Sequence, residues 1–140
     1  MKMTSNEIEG LYQEIAQEVY DQLPDDGWSE AVYWVKVITR FREGGGTYTL
    51  SNGEVKSFSS FVVGDAFVEL RNKMAKIDEK GHAWYEGKVS IKADGNFKFY
   101  FSYDELPRFK VSPSKDKWEE EFKKHPRPEL EGNIPEPEAD

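Results

Sequence analysis

Between residues 85 and 103 apolar and polar side chains alternate on both sides of a single Asp94-Gly95 step, and that pattern leaves the chain little choice but a β-hairpin. Tyr85, Gly87, Val89 and Ile91 interleave with Glu86, Lys88, Ser90 and Lys92. Phe97, Phe99, Phe101 and Tyr103 interleave with Lys98, Tyr100 and Ser102. Successive strand residues point to opposite faces, so the hairpin has one apolar face and one polar face, as in an antiparallel sheet covered on one side. A lone hairpin is marginal in water, so the rest of the chain must supply further strands and a cover.

It supplies both. Ile8, Leu11, Ile15 and Val19 recur at spacings of three and four, which predicts a helix over 6–22, with Thr4 and Glu7 as a capping box and Pro24 and Gly27 as the stop. The β-branched and aromatic run at 31–41 predicts a strand. Gly44-Gly45-Gly46 is expected to turn the chain into a second strand at 47–50, and Asn52-Gly53 to turn it again into a third at 54–61. Phe67, Leu70, Met74 and Ile77 predict a helix over 65–80, with Asp65 as N-cap and Gly81 beyond its end. Ser112-Pro113 is expected to open a last short helix whose buried stripe is Trp118 and Phe122. Pro126, Pro128, Pro135 and Pro137, set among five acids, predict a disordered acidic tail over 126–140. The expected fold is α+β: one domain over 1–125, N-terminal helix first, with a mostly antiparallel sheet of about five strands and helices packed on one face.

The 140-residue length fits one domain, and the chain has no Cys, which excludes a disulfide framework, Cys-based metal sites and a thiol nucleophile. No apolar core of a signal peptide opens the sequence and no stretch is apolar enough to span a membrane, so a cytoplasmic protein is expected. The net charge of −8 is unevenly spread. Residues 1–30 carry eight acids against Lys2, residues 31–112 carry thirteen bases against ten acids, and residues 113–140 carry nine acids against five bases. An acidic surface disfavours nucleic acid and anionic membrane and steers basic partners toward it.

Candidate chemistry is sparse. His82 and His125 each lack a second His or a Cys at ligand spacing, so neither suggests a metal site. Asp104-Glu105, with His82, is the one set from which an acid–base hydrolase could be assembled, but the sequence shows no partner in reach, and the pair reads as a strand terminator before Leu106-Pro107. The triple Gly lacks the Lys-Ser/Thr of a phosphate-binding loop. Period-two phenylalanines in GNFKFYFSY imitate an RNA-stacking sheet, yet a single aromatic face is ordinarily core, and direct nucleic-acid binding is not expected. Glu119-Glu120-Glu121 reads as a solvated helix face that could also imitate phosphates. No catalytic, cofactor-binding or metal-ligating residue is assigned.

Several segments together resemble the YezG-type antitoxin family, the immunity proteins of bacterial polymorphic toxins. They are LYQEIAQEVYDQLP (11–24), Trp28, AVYWVKVI (31–38), the triple Gly, Trp84, DGNFKFYFSYDEL (94–106) and Trp118. The resemblance implies a non-enzymatic, stoichiometric inhibitor that occludes the domain of a cognate toxin, with a nuclease as the expected target. The expected partner-binding residues are Asp25, Asp26, Glu30, Asp104, Glu105, Glu119 and Glu120, for charge pairing with Lys or Arg, and Trp28 or Tyr100 as an exposed aromatic anchor. The competing expectation is a protein-binding adaptor or chaperone of a secretion system.

Overall fold

The computed structural model describes residues 3–138, with side chains from Asn6 onward. Helix α1 (Met3–Asp21) leads into strands β1 (Trp28–Ile38), β2 (Phe41–Leu50) and β3 (Val55–Phe58), then helix α2 (Phe61–Ile77), strands β4 (Glu86–Lys92) and β5 (Phe97–Ser102), and helix α3 (Lys115–Lys124). The strands form one antiparallel sheet in the order β3-β2-β1-β4-β5. This is the α+β domain expected from the sequence. The Thr4 side chain of the expected capping box lies outside the described residues.

The β4–β5 hairpin turns at Asp94-Gly95, with Gly95 at φ +94°, and its apolar rows face each other as Val89↔Phe99 and Ile91↔Phe97. Its inner face joins Ala31, Tyr33, Val35 and Val37 of β1 beneath α1 and α2. Ile15 and Val19 of α1 and Phe67 and Leu70 of α2 are fully buried there. Tyr12 stacks on Phe99 at 4.5 Å between ring centroids, so the helix covers the hairpin through an aromatic contact.

Three expectations are corrected. The triple Gly does not turn; it runs inside β2, paired with Tyr33, Trp34 and Val35. A Cβ at Gly46 would stand 2.6 Å from the Phe58 ring and 2.7 Å from that of Tyr33, and one at Gly44 would stand 2.8 Å from the Trp34 carbonyl oxygen. Glycine is required there for close approach, not for a bend. The turn lies earlier, at Thr39-Arg40, where Thr39 takes φ +42°. Helix α2 begins at Phe61 because Ser60, not Asp65, is its N-cap; its Oγ accepts from Val63 N at 3.2 Å. Asp65 instead pairs with Arg42. Helix α3 starts at Lys115, after Ser114 rather than at Ser112-Pro113.

A fourth correction concerns the C-terminal segment. Residues 126–138 pack on the domain rather than trailing from it. Arg127 is buried and donates to the Tyr103 carbonyl at 2.7 Å and to Asp104 at 2.9 Å, and Glu138 pairs with Lys36 at 2.8 Å. One guanidinium thus offsets what the prolines and acids would otherwise dictate. Residues 139 and 140 lie outside the described residues.

Candidate interaction surfaces

Strand β1 runs the length of the sheet, and the acidic residues singled out by sequence fall at its two ends. Glu30 and Ile38, near its two ends, are eight residues apart along it, about 26 Å at the rise of an extended strand. The expected binding residues therefore do not form one site.

At the far end α3 closes the sheet instead of lying beside α1 and α2. Trp118 and Phe122 pack with Ile38, Tyr85 and Phe109 in a second, smaller core. Between the two cores lies a buried ion pair. Arg71 of α2, 2% exposed, donates from Nη2 and Nη1 to both carboxylate oxygens of Glu121 of α3, 0% exposed, at 2.7 and 3.2 Å, and from Nε to the Trp84 carbonyl at 2.5 Å. Glu121 Oε1 also accepts from Thr39 N at 2.5 Å, and Glu120 accepts from Thr39 Oγ1 at 2.5 Å. These two carboxylates hold a β-branched residue in left-handed backbone, a conformation such residues rarely adopt. The Thr39 hydroxyl, seconded by Arg40, keeps the Glu120 carboxyl below its ordinary range. Burial drives the Tyr85 phenol up to about 12. It also lowers His125, whose Nδ1 lies 3.1 Å from the Gly81 carbonyl oxygen.

The carboxylates expected to bind a partner at this end are thus largely engaged within the fold. Glu120 is tied to Thr39, Asp104 to Arg127, and Glu119 lies 4.0 Å from Lys115; Glu105 is exposed. His82 donates its backbone N–H to Asp78 at 2.9 Å.

The near end is different. The loop after α1 is clamped between two hairpin turns: Ser51 N donates to the Gly27 carbonyl at 2.7 Å and Ala93 N to the Ser29 carbonyl at 3.0 Å. Gly27 makes the clamp possible with φ +84°. Asp25, Asp26, Glu30, Glu54 and Asp94 consequently gather at one exposed tip. Among the described residues Asp25, Asp26 and Glu30 form no ion pair; Glu54 pairs with Lys56 at 3.2 Å. Trp28, expected as an exposed anchor here, is corrected: it is 6% exposed, with Nε1 donating to the Pro24 carbonyl at 3.0 Å and its ring edge-on to Tyr20. It braces the tip from within.

Tyr100 is 49% exposed, on the sheet face turned away from α1 and α2. With Trp34, Lys36, Glu86, Lys88 and Ser102 it lines an open groove of about 380 Å³. Lys88 lies 4.9 Å from the Tyr100 ring centroid and Lys36 5.5 Å from that of Trp34. This lysine-bearing face accounts for part of the basic middle of the sequence.

Sequence reasoning missed Arg71, Glu121 and Arg127. For Glu121 a signal existed, since it follows Trp118 by three positions and falls on the same buried stripe. Among the described residues no helix is long and apolar enough to cross a membrane. The chain matches no protein-family model and no curated protein.

Proposed function

We propose that this protein is an immunity protein: a cytoplasmic, non-enzymatic inhibitor that binds a cognate secreted bacterial toxin, in expectation a nuclease, and occludes its toxin domain. The observation that carries the reading is the tip, where Asp25 and Asp26, on a loop clamped by two hairpin turns, and Glu30, at the start of β1, stand exposed and, among the described residues, without ion-pair partners. Binding residues on short loops held by a rigid scaffold lose little freedom on association. Uncompensated carboxylates steer and register a cationic surface such as a nuclease cleft. The sequence resemblance to YezG-type antitoxins supports the same reading. Tyr100 and the exposed Glu105 and Glu119 are kept as secondary contacts.

The test is co-expression with the toxin encoded in the adjacent reading frame. Rescue of growth and copurification as a stoichiometric complex are expected. The triple variant Asp25→Lys, Asp26→Lys, Glu30→Lys should slow association at low salt and much less at high salt, because screening removes the steering term. Binding without rescue would instead favour the adaptor reading, and an unchanged association rate would remove the tip from the interface.

A further inference from the structure

The parity of hydrogen bonding across the sheet identifies a second surface. In the β4–β5 ladder Lys92 N donates to the Asn96 carbonyl, and residues 90↔98 and 88↔100 follow in the same phase. The even residues of β5 therefore spend their backbone groups on β4. Phe97, Phe99 and Phe101 direct N–H and C=O the other way, and among the described residues none of these six groups has a hydrogen-bond partner. The next outward carbonyl, that of Tyr103, is taken by Arg127 Nη1 at 2.7 Å, which marks where the open edge stops. Uncovered edge strands recruit other strands unless blunted by charge, proline or brevity. β5 carries a single charge, Lys98, and no proline, and Phe97 is 37% exposed.

We propose that β5 pairs antiparallel with β5 of a second copy of this chain, with Phe99 opposite Phe99 at the two-fold axis. That register satisfies all six free groups, since the pairs 97↔101, 99↔99 and 101↔97 each close two hydrogen bonds. On the inner face it sets Phe97 of one copy against Phe101 of the other, extending the aromatic row. On the outer face it sets Lys98 against Tyr100, so no like charges oppose each other. A shift of the axis to Tyr100 would direct Phe97 at the Tyr103 carbonyl, which Arg127 already occupies.

Sedimentation equilibrium of the full chain over a concentration series tests this, with amide exchange of Phe97, Phe99 and Phe101 read in parallel. A reversible dimer is expected, with these three amides slowing as concentration rises. Tyr100→Lys, at an exposed position, should weaken the dimer about tenfold by opposing Lys98. Adding Lys98→Glu should restore it, because the register then pairs opposite charges at both outer positions. A monomer at all concentrations, or a dimer indifferent to Tyr100→Lys, overturns the proposal. So does a failure of the Lys98→Glu, Tyr100→Lys double variant to regain affinity while its circular dichroism remains that of the parent.

Discussion

The two ends of β1 use the same functional group for opposite purposes. At the α3 end carboxylates are consumed by the fold: Glu121 by Arg71 and Thr39, Glu120 by Thr39, Asp104 by Arg127, Glu138 by Lys36. At the loop end Asp25, Asp26 and Glu30 are exposed and, among the described residues, unpaired. Counting acids along the sequence treats both ends alike. What separates them is whether a cation has been brought into reach from elsewhere in the chain.

The contrast predicts a graded set of effects on stability. Glu121→Gln should cost the most, about 3–5 kcal/mol in denaturant unfolding, because it leaves the Arg71 guanidinium buried without a counter-charge. Replacing both members, Arg71→Met with Glu121→Leu, should recover much of that loss; if the single variant costs under about 1 kcal/mol, the pair does not join the two cores. Arg127→Ala comes next, at about 1–2 kcal/mol, from the hydrogen bonds it gives Tyr103 and Asp104. Limited proteolysis should then cut within 126–138, and resistance to cleavage would show that the segment is held by something else.

The pH dependence is smaller and its sign follows from burial. His125 is held below its ordinary 6.5, so the unfolded chain takes up a proton that the folded ring declines. Stability should therefore fall as pH drops from about 6.5 toward the depressed folded value, and His125→Gln should flatten the unfolding midpoint across that window. At more acid pH the Glu120 and Glu138 carboxylates, depressed by Thr39 and Lys36 respectively, add a second decline. Their contribution is present above the ordinary carboxylate range and is lost as pH falls through the folded values. The smallest effect on unfolding belongs to the tip. Reversing Asp25, Asp26 and Glu30 should leave the denaturation midpoint nearly unmoved, and a large loss would mean that these residues serve the fold after all.

Local pattern accounts for what was legible in the sequence. The β4–β5 hairpin follows from period-two alternation and Asp94-Gly95, and α1 from its apolar spacing, because each signal lies within the element it specifies. The strand placement of the triple Gly is not legible locally because its cause is remote: the rings of Tyr33 and Phe58 reach it from two other strands. The start of α2 was hidden by Phe61 and Val62, apolar residues that remain exposed in the first turn and so break the amphipathic pattern. Arg71 and Glu121 stand fifty positions apart, and a charge run such as Glu119-Glu120-Glu121 gives no sign of which member turns inward except its phase against Trp118 and Phe122. Arg127 was masked by the prolines around it.

The left-handed Thr39 has a consequence for the order in which the chain can be completed. Its backbone N–H and its hydroxyl both find their acceptors more than eighty residues later. During synthesis the first hairpin must wait, with its bend unsupported and Arg71 uncompensated, until the segment bearing Glu120 and Glu121 has left the ribosome. A fragment that stops between Ser102 and Glu120 has all five strands but not their latch, and quality control should find it open.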